Sequence, residues 1–410
     1  MSLGLRGKNM NKKVLFITWD GPQTNYLESL FFPIFEGLQQ VGEYSFHVLQ
    51  FSWASEDKQE ALAALAKRKN IIYTHYTVTR SPNLLVGSLY TLARGVSFIR
   101  RYIAQHKIQV LMPRSTLPAI MALNVKNDIR GLRTVFDADG LPLEERVDFS
   151  GLNPNGLQYR FLKRQEKAMI KKADLVLVRS AKAREIHINH NGSHVAPKLF
   201  TVRNGRDSTF FKPDPGLREA YRKKLNLSPQ QQLLVYCGSL GPQYGMDIMV
   251  SLFESLLEIQ PESKFLLLVP NNPTENIIPE NLMKKIHIVS GPFSSIPAWL
   301  NAADLALAIR EPKFSMQGVA PIKLGEYLLM GLPTIASKGI GDTESMLRDA
   351  EFVHLFDHHN KGALDRAKRW MHNFSSSHKA AIRTFALKHF SLERSVGDYQ
   401  KALDCLVGAE

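Results

Sequence analysis

A glycine-rich turn is the first segment whose residue types could do chemistry. It reads Gly238-Ser-Leu-Gly-Pro-Gln-Tyr-Gly245 and stands between the apolar run Leu233–Cys237 and a helical pattern. Glycines let backbone amides come close to an anion, and the N-terminus of a helix adds its dipole. The turn therefore predicts a phosphate site. A tight strand-to-helix turn without a ligand is the alternative.

A lysine and a glutamate open a second candidate segment, Ala320-Pro-Ile-Lys-Leu-Gly-Glu326. Lys323 and Glu326 are three residues apart, so they share one face of the predicted helix. A carboxylate in this place can accept two hydrogen bonds from the diol of a ribose, and a lysine can meet a phosphate. An ordinary surface ion pair is the alternative, and the pair taken alone favours that simpler interpretation.

A third candidate is an Asp-x-Asp sequence, Asp137 and Asp139, directly after the apolar run Thr134–Asp137. Pairs of this kind bind a divalent metal in one single-domain architecture of sugar-transferring enzymes. The rest of the chain predicts two sheet-containing units instead. We therefore favour a loop carboxylate that faces a cleft, or a helix cap, over a metal ligand.

The elements that must position these residues are short apolar strands that alternate with helical patterns. The strands predicted in the first half are Lys13–Trp19, Phe46–Phe51, Ile71–Tyr76, Val110–Pro113, Thr134–Asp137, Leu175–Arg179 and Leu199–Val202. The pattern then restarts with Leu233–Cys237, Lys264–Pro270, Ile286–Val289, Leu305–Ile309, Thr334–Ala336 and Val353–Phe356. Strands separated by helices form parallel sheets with right-handed crossovers and both faces covered.

The restart of the pattern predicts an α/β chain of two Rossmann-like, doubly wound domains that face each other across a cleft. We place the first domain at 1–205, the second at 206–385 and a final helical segment at 386–410. A helix with Pro33 inside it is predicted over Asn25–Val41, and a last helix over Phe385–Leu406. In such sheets ligands bind beyond the carboxyl ends of the strands, where all three candidate segments fall.

Charge is concentrated in the first half of the 410 residues. Up to Gly205 there are 29 basic and 16 acidic residues, so almost the whole net charge of +14 lies there. The segment Tyr159–Arg184 is the densest, with Arg160, Lys163 and Arg164 on one helical face. Solvated basic faces over an ordinary core are one interpretation, and attachment to an anionic membrane surface is the other. The segment Arg94–Lys107 has the same character.

Several classes of protein are excluded by what the sequence lacks. Only Cys237 and Cys405 occur, which rules out a disulfide framework and indicates the reducing cytoplasm. No apolar run is long enough to span a membrane, and Met1–Asn11 has no apolar core, so we predict no signal peptide. No recognition helix, zinc spacing or RNA-binding signature indicates nucleic acid. His187 and His190 are interpreted as surface residues.

Taken in order, these segments resemble the retaining, nucleotide-sugar-dependent glycosyltransferases of family 4, which have the GT-B fold. The resemblance covers nearly the whole chain. It is carried by Lys172-Ala-Asp-Leu-Val-Leu-Val-Arg-Ser180, by the junction Val202-Arg-Asn-Gly-Arg-Asp-Ser-Thr-Phe-Phe-Lys-Pro213, and by Lys323-Leu-Gly-Glu326 with Gly331-Leu-Pro333. The junction resembles the family pattern "xxNGVDxxxFxP". Asp137–Asp148 and Pro113-Arg-Ser115 resemble one bacterial branch.

The resemblance implies a donor nucleotide in the second domain, an acceptor in the first, no metal and retention at the anomeric carbon. It implies that Glu326 binds the ribose. The family's other glutamate falls at Gly318, and its diphosphate arginine and lysine fall at Ser239 and Tyr244, so those charges are missing. The donor site is then expected at Gly238, Ser239, Leu240, Gly241, Tyr244, Gly318, Val319, Ala320 and Glu326.

The function implied is sugar transfer from a UDP- or GDP-linked sugar to a hydroxyl of a glycan or lipid-linked acceptor, in bacterial surface polysaccharide synthesis. Arg310, Lys323 and Asp139 are the expected catalytic residues, with Arg310 and Lys323 sharing the diphosphate. No cofactor is expected. The protein is expected in the cytoplasm, and peripheral attachment at the inner face of the membrane is a further expectation. The missing charges keep two alternatives open: a catalytically silent binding subunit, and a sugar-nucleotide epimerase.

Overall fold

The computed structural model describes residues 12–270, 278–373 and 378–406. The N-terminal segment for which the sequence predicts no signal peptide lies outside these residues. The chain divides into two compact units. The first comprises Met1–Val202 together with Ser395–Glu410, and the second comprises Arg203–Arg394.

The first unit is built on a seven-stranded, all-parallel sheet in the order β3-β2-β1-β4-β5-β6-β7. Its strands are β1 Lys12–Trp19, β2 Tyr44–Ser52, β3 Ile72–Thr77, β4 Val110–Pro113, β5 Arg133–Asp137, β6 Leu175–Val178 and β7 Leu199–Thr201. Its helices are α1 Phe32–Val41, α2 Glu56–Arg68, α3 Leu84–His106, α4 Thr116–Lys126, α5 Pro142–Ser150, α6 Leu157–Lys172 and α7 Ala181–Asn191.

The second unit repeats the plan with six parallel strands in the order β10-β9-β8-β11-β12-β13. Its strands are β8 Leu233–Cys237, β9 Lys264–Leu268, β10 Ile286–Val289, β11 Leu305–Ala308, β12 Thr334–Ser337 and β13 Val353–Phe356. Its helices are α8 Pro215–Lys224, α9 Met246–Ile259, α10 Ile296–Asn301, α11 Ile322–Leu329, α12 Thr343–Met346, α13 Ala363–Asn373 and α14 Lys379–Phe390, and α15 Leu392–Asp404 leads back into the first unit.

Alternation along the strands explains why both faces of the second sheet are covered. In β8, Leu233, Val235 and Cys237 belong to one apolar cluster, whereas Leu234 and Tyr236 belong to another. Successive side chains of a strand point to opposite faces, so a continuous apolar run needs helices on both sides. The two doubly wound parallel sheets confirm the fold predicted from the sequence.

Two predicted helices differ in detail from those observed. The helix expected over Asn25–Val41 opens with a wide π-helical segment, Leu27–Phe31, and continues as α1 with Pro33 in its first turn, where proline needs no amide partner. The final helix is not continuous. It is interrupted at Ser391, between α14 and α15, where the chain forms a bridge with Arg206.

Candidate functional site

The candidate residues of the second unit gather where the order of strands reverses. From β8 the chain moves to β9 and β10 on one side, and from β11 it moves to β12 and β13 on the other. The glycine-rich turn follows β8, and Arg310 follows β11 after one intervening residue. Ligands of doubly wound sheets bind at this reversal, beyond the carboxyl ends of the strands.

A buried three-residue ion cluster lies at the start of α11. Glu326 is fully buried, and its Oε2 accepts from Lys323 Nζ at 2.8 Å. Its Oε1 accepts from Nε of Arg206 at 2.9 Å. Sequence reasoning placed Lys323 beside Glu326 but missed Arg206. The signal for it was present, because Arg206 is the residue that departs from the junction pattern.

The backbone of Arg206 is held by hydrogen bonds to both sides of the helix interruption between α14 and α15. Its backbone N–H donates to the carbonyl of Phe390 at 2.8 Å, and its carbonyl accepts from the N–H of Leu392 at 2.8 Å. Its guanidinium lies 5.7 Å from the ring centre of Phe293. Both carboxylate oxygens of Glu326 therefore already accept hydrogen bonds from cations of the protein. The contact between Glu326 and a ribose stays a prediction, and a ribose hydroxyl would have to share these oxygens with Arg206 and Lys323.

Lys323 connects this cluster to the end of β8. Its Nζ lies 3.6 Å from Sγ of Cys237, and 32% of its side chain is exposed. Burial opposes the charge on this lysine, but the negative charge of Glu326 and the hydrogen bond to it outweigh burial and raise the Lys323 pKa. Burial raises the pKa of the Cys237 thiol despite the nearby ammonium. At neutral pH the pair is therefore a charged lysine beside a neutral thiol.

Arg310 brings a positive charge to the glycine-rich turn. Its guanidinium carbon lies 5.0 Å from the ring centre of Tyr244, and its Nη1 is 3.4 Å from Oε1 of Gln243. The N–H of Glu311 donates to the carbonyl of Gln243 at 3.0 Å, which ties the same loop to the turn. A positive charge from the neighbouring strand therefore lies over the ring of Tyr244.

A polar chain behind Arg310 fixes its backbone. Oγ of Ser337 accepts from the N–H of Arg310 at 2.9 Å and lies 2.8 Å from Nε2 of His358. Nδ1 of His358 is 4.0 Å from Oε1 of Glu311. Burial lowers the His358 pKa, while Glu311 opposes that shift. Sequence reasoning missed both Ser337 and His358, since single residues at strand ends carry no spacing signal.

The glycine-rich turn supplies fewer amides than its sequence suggests. The N–H of Gly238 donates to the carbonyl of Leu268 at 3.0 Å, and the N–H of Tyr244 donates to that of Gly241 at 3.0 Å. Gly245 has a φ of +52°, a conformation that favours glycine, and opens α9. The amides of Ser239, Leu240 and Gly241 have no hydrogen-bond acceptor among the described residues, so these three remain for an anion.

The predicted residues Gly318, Val319 and Ala320 form the approach to α11. Gly318 ends a short 3-10 turn, Phe314–Gly318, and is buried. The N–H of Val319 donates to the carbonyl of Met316 at 3.2 Å, which also accepts from the N–H of Gly341 at 2.8 Å. The three residues therefore sit at the same sheet edge as Lys323, and a carbonyl of this turn holds the loop after β12.

The first unit carries its own charged network at the carboxyl edge of its sheet. Arg114, after β4, donates to Asp139 Oδ2 at 2.5 Å and to Asp20 Oδ1 at 3.3 Å. Arg179, after β6, donates to Asp137 Oδ2 at 2.5 Å. The order of strands reverses between β1 and β4, so Asp20 and Arg114 flank the reversal. Sequence reasoning found the two aspartates after β5 but not their arginine partners.

Burial divides the two aspartates of this network. Asp137 is fully buried, and burial raises its pKa against the effect of Arg179. The side chain of Asp139 is 28% exposed, and its backbone has a φ of +52°. Ser115, whose N–H donates to the carbonyl of Asp137 at 2.9 Å, has a φ of +65°. Strained backbone of this kind concentrates at functional sites. Neither aspartate caps a helix, and among the described residues no group of three His, Cys, Asp or Glu could hold a metal ion.

Two surface assignments made from the sequence are wrong. His187 is fully buried on α7, and burial together with the charge of Lys163 lowers its pKa to about 4. Lys163 itself is buried between Glu144, at 2.8 Å, and Glu166. Helical spacing correctly put Lys163 on the face that also carries Arg160 and Arg164. Its side chain is nevertheless buried, because it pairs with the buried Glu166 one turn further along the helix.

Comparison with known proteins agrees with this fold. No family model and no curated protein sequence matches the chain. A glycosyltransferase from Rickettsia africae superposes with a TM-score of 0.71 and 14% identity over 97% of this chain and 100% of that one. The HepE protein of Anabaena, in complex with UDP-glucose, gives 0.68 and 16% over 97% and 99%. A UDP-GlcNAc 2-epimerase from Neisseria meningitidis, bound to UDP-GlcNAc, gives 0.59 and 11% over 96% and 100%.

The chain thus shares its fold, with two α/β units, with these three structures. At identities of 11 to 16%, the likeness establishes the fold, and the reaction has to be argued from the residues described above. No helix among the described residues is both long and apolar enough to cross a membrane.

Proposed function

We propose that this protein is a glycosyltransferase that moves a sugar from a nucleotide-diphosphate sugar to a hydroxyl of a glycan or lipid-linked acceptor. One observation carries the proposal: two cations, Arg310 and Lys323, and three amides of the glycine-rich turn lie at the strand reversal of the second sheet. This arrangement suits a diphosphate leaving group. The likeness in fold to a structure bound to UDP-glucose supports it.

In this proposal the second unit holds the donor. Sugar transfer builds negative charge on the leaving phosphate and oxocarbenium character on the sugar. Fixed cations and amides stabilise that charge without a metal ion. Arg310 is aimed by Ser337 and by the ring of Tyr244, and Lys323 by Glu326, so neither needs to reorganise as charge develops. We propose that Glu326 also contacts the ribose and that Gly318, Val319 and Ala320 lie beside the nucleotide.

The acceptor is assigned to the first unit. Asp139, held by Arg114, is the carboxylate of that unit's network best placed to accept a hydrogen bond from an acceptor hydroxyl, because its partner Asp137 is buried. For retention we favour attack on the same face of the sugar that the phosphate leaves, with the leaving phosphate taking the proton. A place in bacterial surface polysaccharide synthesis, on the cytoplasmic face of the membrane, extends this proposal.

The test is a panel of UDP- and GDP-sugars measured in two ways. Calorimetry should detect binding of at least one nucleotide, and turnover should require an added acceptor and retain the anomeric configuration, which NMR of the product reports. Binding without turnover for any acceptor would favour the silent subunit. The likeness to the epimerase favours a second candidate, which would release nucleotide without an acceptor.

A further inference from the structure

The first two turns of α3 present large apolar side chains to solvent. Leu84, Leu85, Val86, Leu89 and Tyr90 are each about half exposed or more, and Leu85 reaches 64%. Fifteen large apolar residues are exposed among the described residues, so a third of them fall within seven positions. Single exposed apolar residues are normal, but a contiguous group indicates an interaction surface.

This apolar surface is held rigidly from behind. Gly87, on the inner side of the helix, approaches the backbone of Thr79 so closely that an added Cβ would lie 2.2 Å from its carbonyl oxygen. The hydroxyl of Thr91 accepts from the N–H of Thr79 at 3.0 Å and donates to the carbonyl of Gly87 at 2.9 Å. The side chain of Asn83 caps the helix by accepting from the N–H of Val86. The exposed leucines therefore project from an ordered helix start.

The start of α6 repeats this arrangement. Leu157 is 83% exposed and Phe161 51%, and they lie four residues apart on one face, next to Arg160 and Arg164. Helix α4 packs between α3 and α6, and each of the three helices runs back along the parallel sheet to the amino end of the next strand, β4, β5 or β6. Each therefore begins at the carboxyl edge of the first sheet, and the two apolar helix starts lie at that one edge.

Exposed arginines flank the two apolar helix starts. From Ala61 to Asn127 the sequence contains no aspartate or glutamate and ten lysines and arginines. Arg94 is exposed on α3, and Arg160 and Arg164 are exposed on the first half of α6. Apolar helix starts flanked by exposed arginines are complementary to an anionic bilayer, which offers phosphates and an apolar layer together.

We propose that the starts of α3 and α6 form a docking surface for an anionic lipid bilayer. Leu84, Leu85, Leu89, Leu157 and Phe161 enter the headgroup layer, and the arginines behind them meet lipid phosphates. The proposal rests on the proposed function in one respect, namely that a lipid-linked acceptor would be met by the same unit that carries Asp139. The attachment is peripheral and uses no spanning helix.

The experiment uses the full chain and vesicles of phosphatidylcholine with or without phosphatidylglycerol. Wild type should cosediment with anionic vesicles and much less with neutral ones. Leu84→Ser/Leu85→Ser/Leu89→Ser should lower the partition coefficient by more than about tenfold, because three apolar side chains are then no longer removed from water on binding. Arg160→Gln/Arg164→Gln should lower it about fivefold per charge. Leu217→Ser/Met283→Ser, exposed apolar residues of the second unit, is the matched control and should bind as wild type.

A second measurement keeps the outcome clear of folding effects. Tyr90→Trp should show a blue shift of its tryptophan emission with anionic vesicles, whereas Met283→Trp should not. Wild type that ignores anionic vesicles at low salt, or a leucine variant that binds them unchanged, overturns the proposal. So does a concentration-dependent dimer that the leucine variant abolishes, since the surface would then bind a second copy. Calorimetry of UDP with the same preparations reports the proposed function separately, because the vesicle assay needs no nucleotide.

Discussion

Arg206 donates from Nε to Oε1 of Glu326 at 2.9 Å, and neither side chain is more than 6% exposed. This contact joins the loop that opens the second unit to the helix that carries Lys323. It also gives Glu326 a second role besides the predicted ribose contact. A carboxylate that the sequence offers as a ribose ligand is, in the folded protein, the counter-ion of two cations, so it acts on the site through them as well as directly.

Removing the charge of Glu326 should therefore cost stability. Glu326→Gln keeps the size of the side chain but leaves Arg206 and Lys323 without their carboxylate, and breaking a buried pair typically costs about 3–5 kcal/mol. Urea unfolding followed by fluorescence should show a clearly lower midpoint. Asp357→Asn, which breaks the exposed pair with Lys338, is the control and should change little. Equal midpoints for the two variants would contradict the role of Glu326 as counter-ion.

The same variant tests the donor site, provided it is measured below its unfolding transition. Charge-assisted hydrogen bonds are worth roughly 1.5–3 kcal/mol, so Glu326→Gln should weaken UDP or GDP binding roughly 10- to 100-fold. Calorimetry at a temperature where circular dichroism shows the native spectrum measures this directly. Wild-type affinity in a folded Glu326→Gln protein would remove both the ribose contact and the positioning of Lys323 from the proposal.

Acid should destabilise the first unit through His187. Its pKa is lowered to about 4 in the folded chain, from a value of 6.5 for an unperturbed histidine. Between these values the unfolded state binds the proton and the folded state does not, so the free energy of unfolding falls as pH drops through that window, by up to about 1.4 kcal/mol per pH unit. His187→Leu should flatten this part of the stability curve. An unchanged acid slope would show that other groups govern it.

Turnover should not depend on a metal ion. The carboxylates Asp137 and Asp139 are paired with Arg179 and Arg114, and the cations proposed for the leaving group are side chains of the protein. Activity with a donor sugar and acceptor should therefore survive excess EDTA. Loss of activity with recovery on adding manganese would contradict this prediction and revive the metal interpretation of the Asp-x-Asp sequence.

The acceptor role of Asp139 has its own test. Asp139→Asn keeps the hydrogen bond to Arg114 but weakens acceptance from a hydroxyl, so kcat/KM for the acceptor should fall at least roughly tenfold while UDP affinity stays unchanged. Asp128→Asn, which removes an exposed partner of Arg100 in the same unit, should have no effect on either quantity. A loss of UDP affinity in Asp139→Asn would show that the residue does not act in the acceptor unit alone.

The strands were predictable because burial on both faces leaves an unmistakable apolar run, as in Leu233–Cys237, and their order follows from the helices between them. The interruption at Ser391 was not predictable from local pattern. It depends on Arg206, which lies 185 positions earlier in the chain and bridges to Ser391. Arg206 also makes two backbone hydrogen bonds beside that residue, one donated to Phe390 and one accepted from Leu392.

Part of the candidate site could likewise be predicted from the sequence, and part could not. The pairing of Lys323 with Glu326 follows from helical spacing alone, and the structure confirms it. The partners supplied by other strands do not follow from spacing. Arg206, Ser337 and His358 reach the site only through the order of strands, and single residues at strand ends have no periodicity to reveal them. The burial of His187 was not predicted for a related reason. A single polar residue on a helix carries no pattern that shows whether it faces the core or the solvent.

The most demanding prediction concerns the two cations proposed for the diphosphate. Ser239 and Tyr244 donate only neutral hydrogen bonds, which are roughly half as strong as charge-assisted ones. Arg310 compensates by lying on the ring of Tyr244, and Lys323 stays charged beside Glu326. Removing one donor of this kind typically costs ~10²–10³ in kcat. Lys323→Ala and Arg310→Ala should each show such a loss, with a smaller change in donor affinity.

Two controls make that measurement decisive. Lys313→Ala removes an exposed lysine three residues after Arg310 and should leave kcat unchanged. Tyr244→Leu removes the ring beneath Arg310 but no charge, so it should cost less than Arg310→Ala, because the guanidinium is still held by Gln243. A change below about threefold for both Lys323→Ala and Arg310→Ala would mean that the three amides at Ser239, Leu240 and Gly241 hold the phosphate by themselves, as helix starts and glycine-rich turns can.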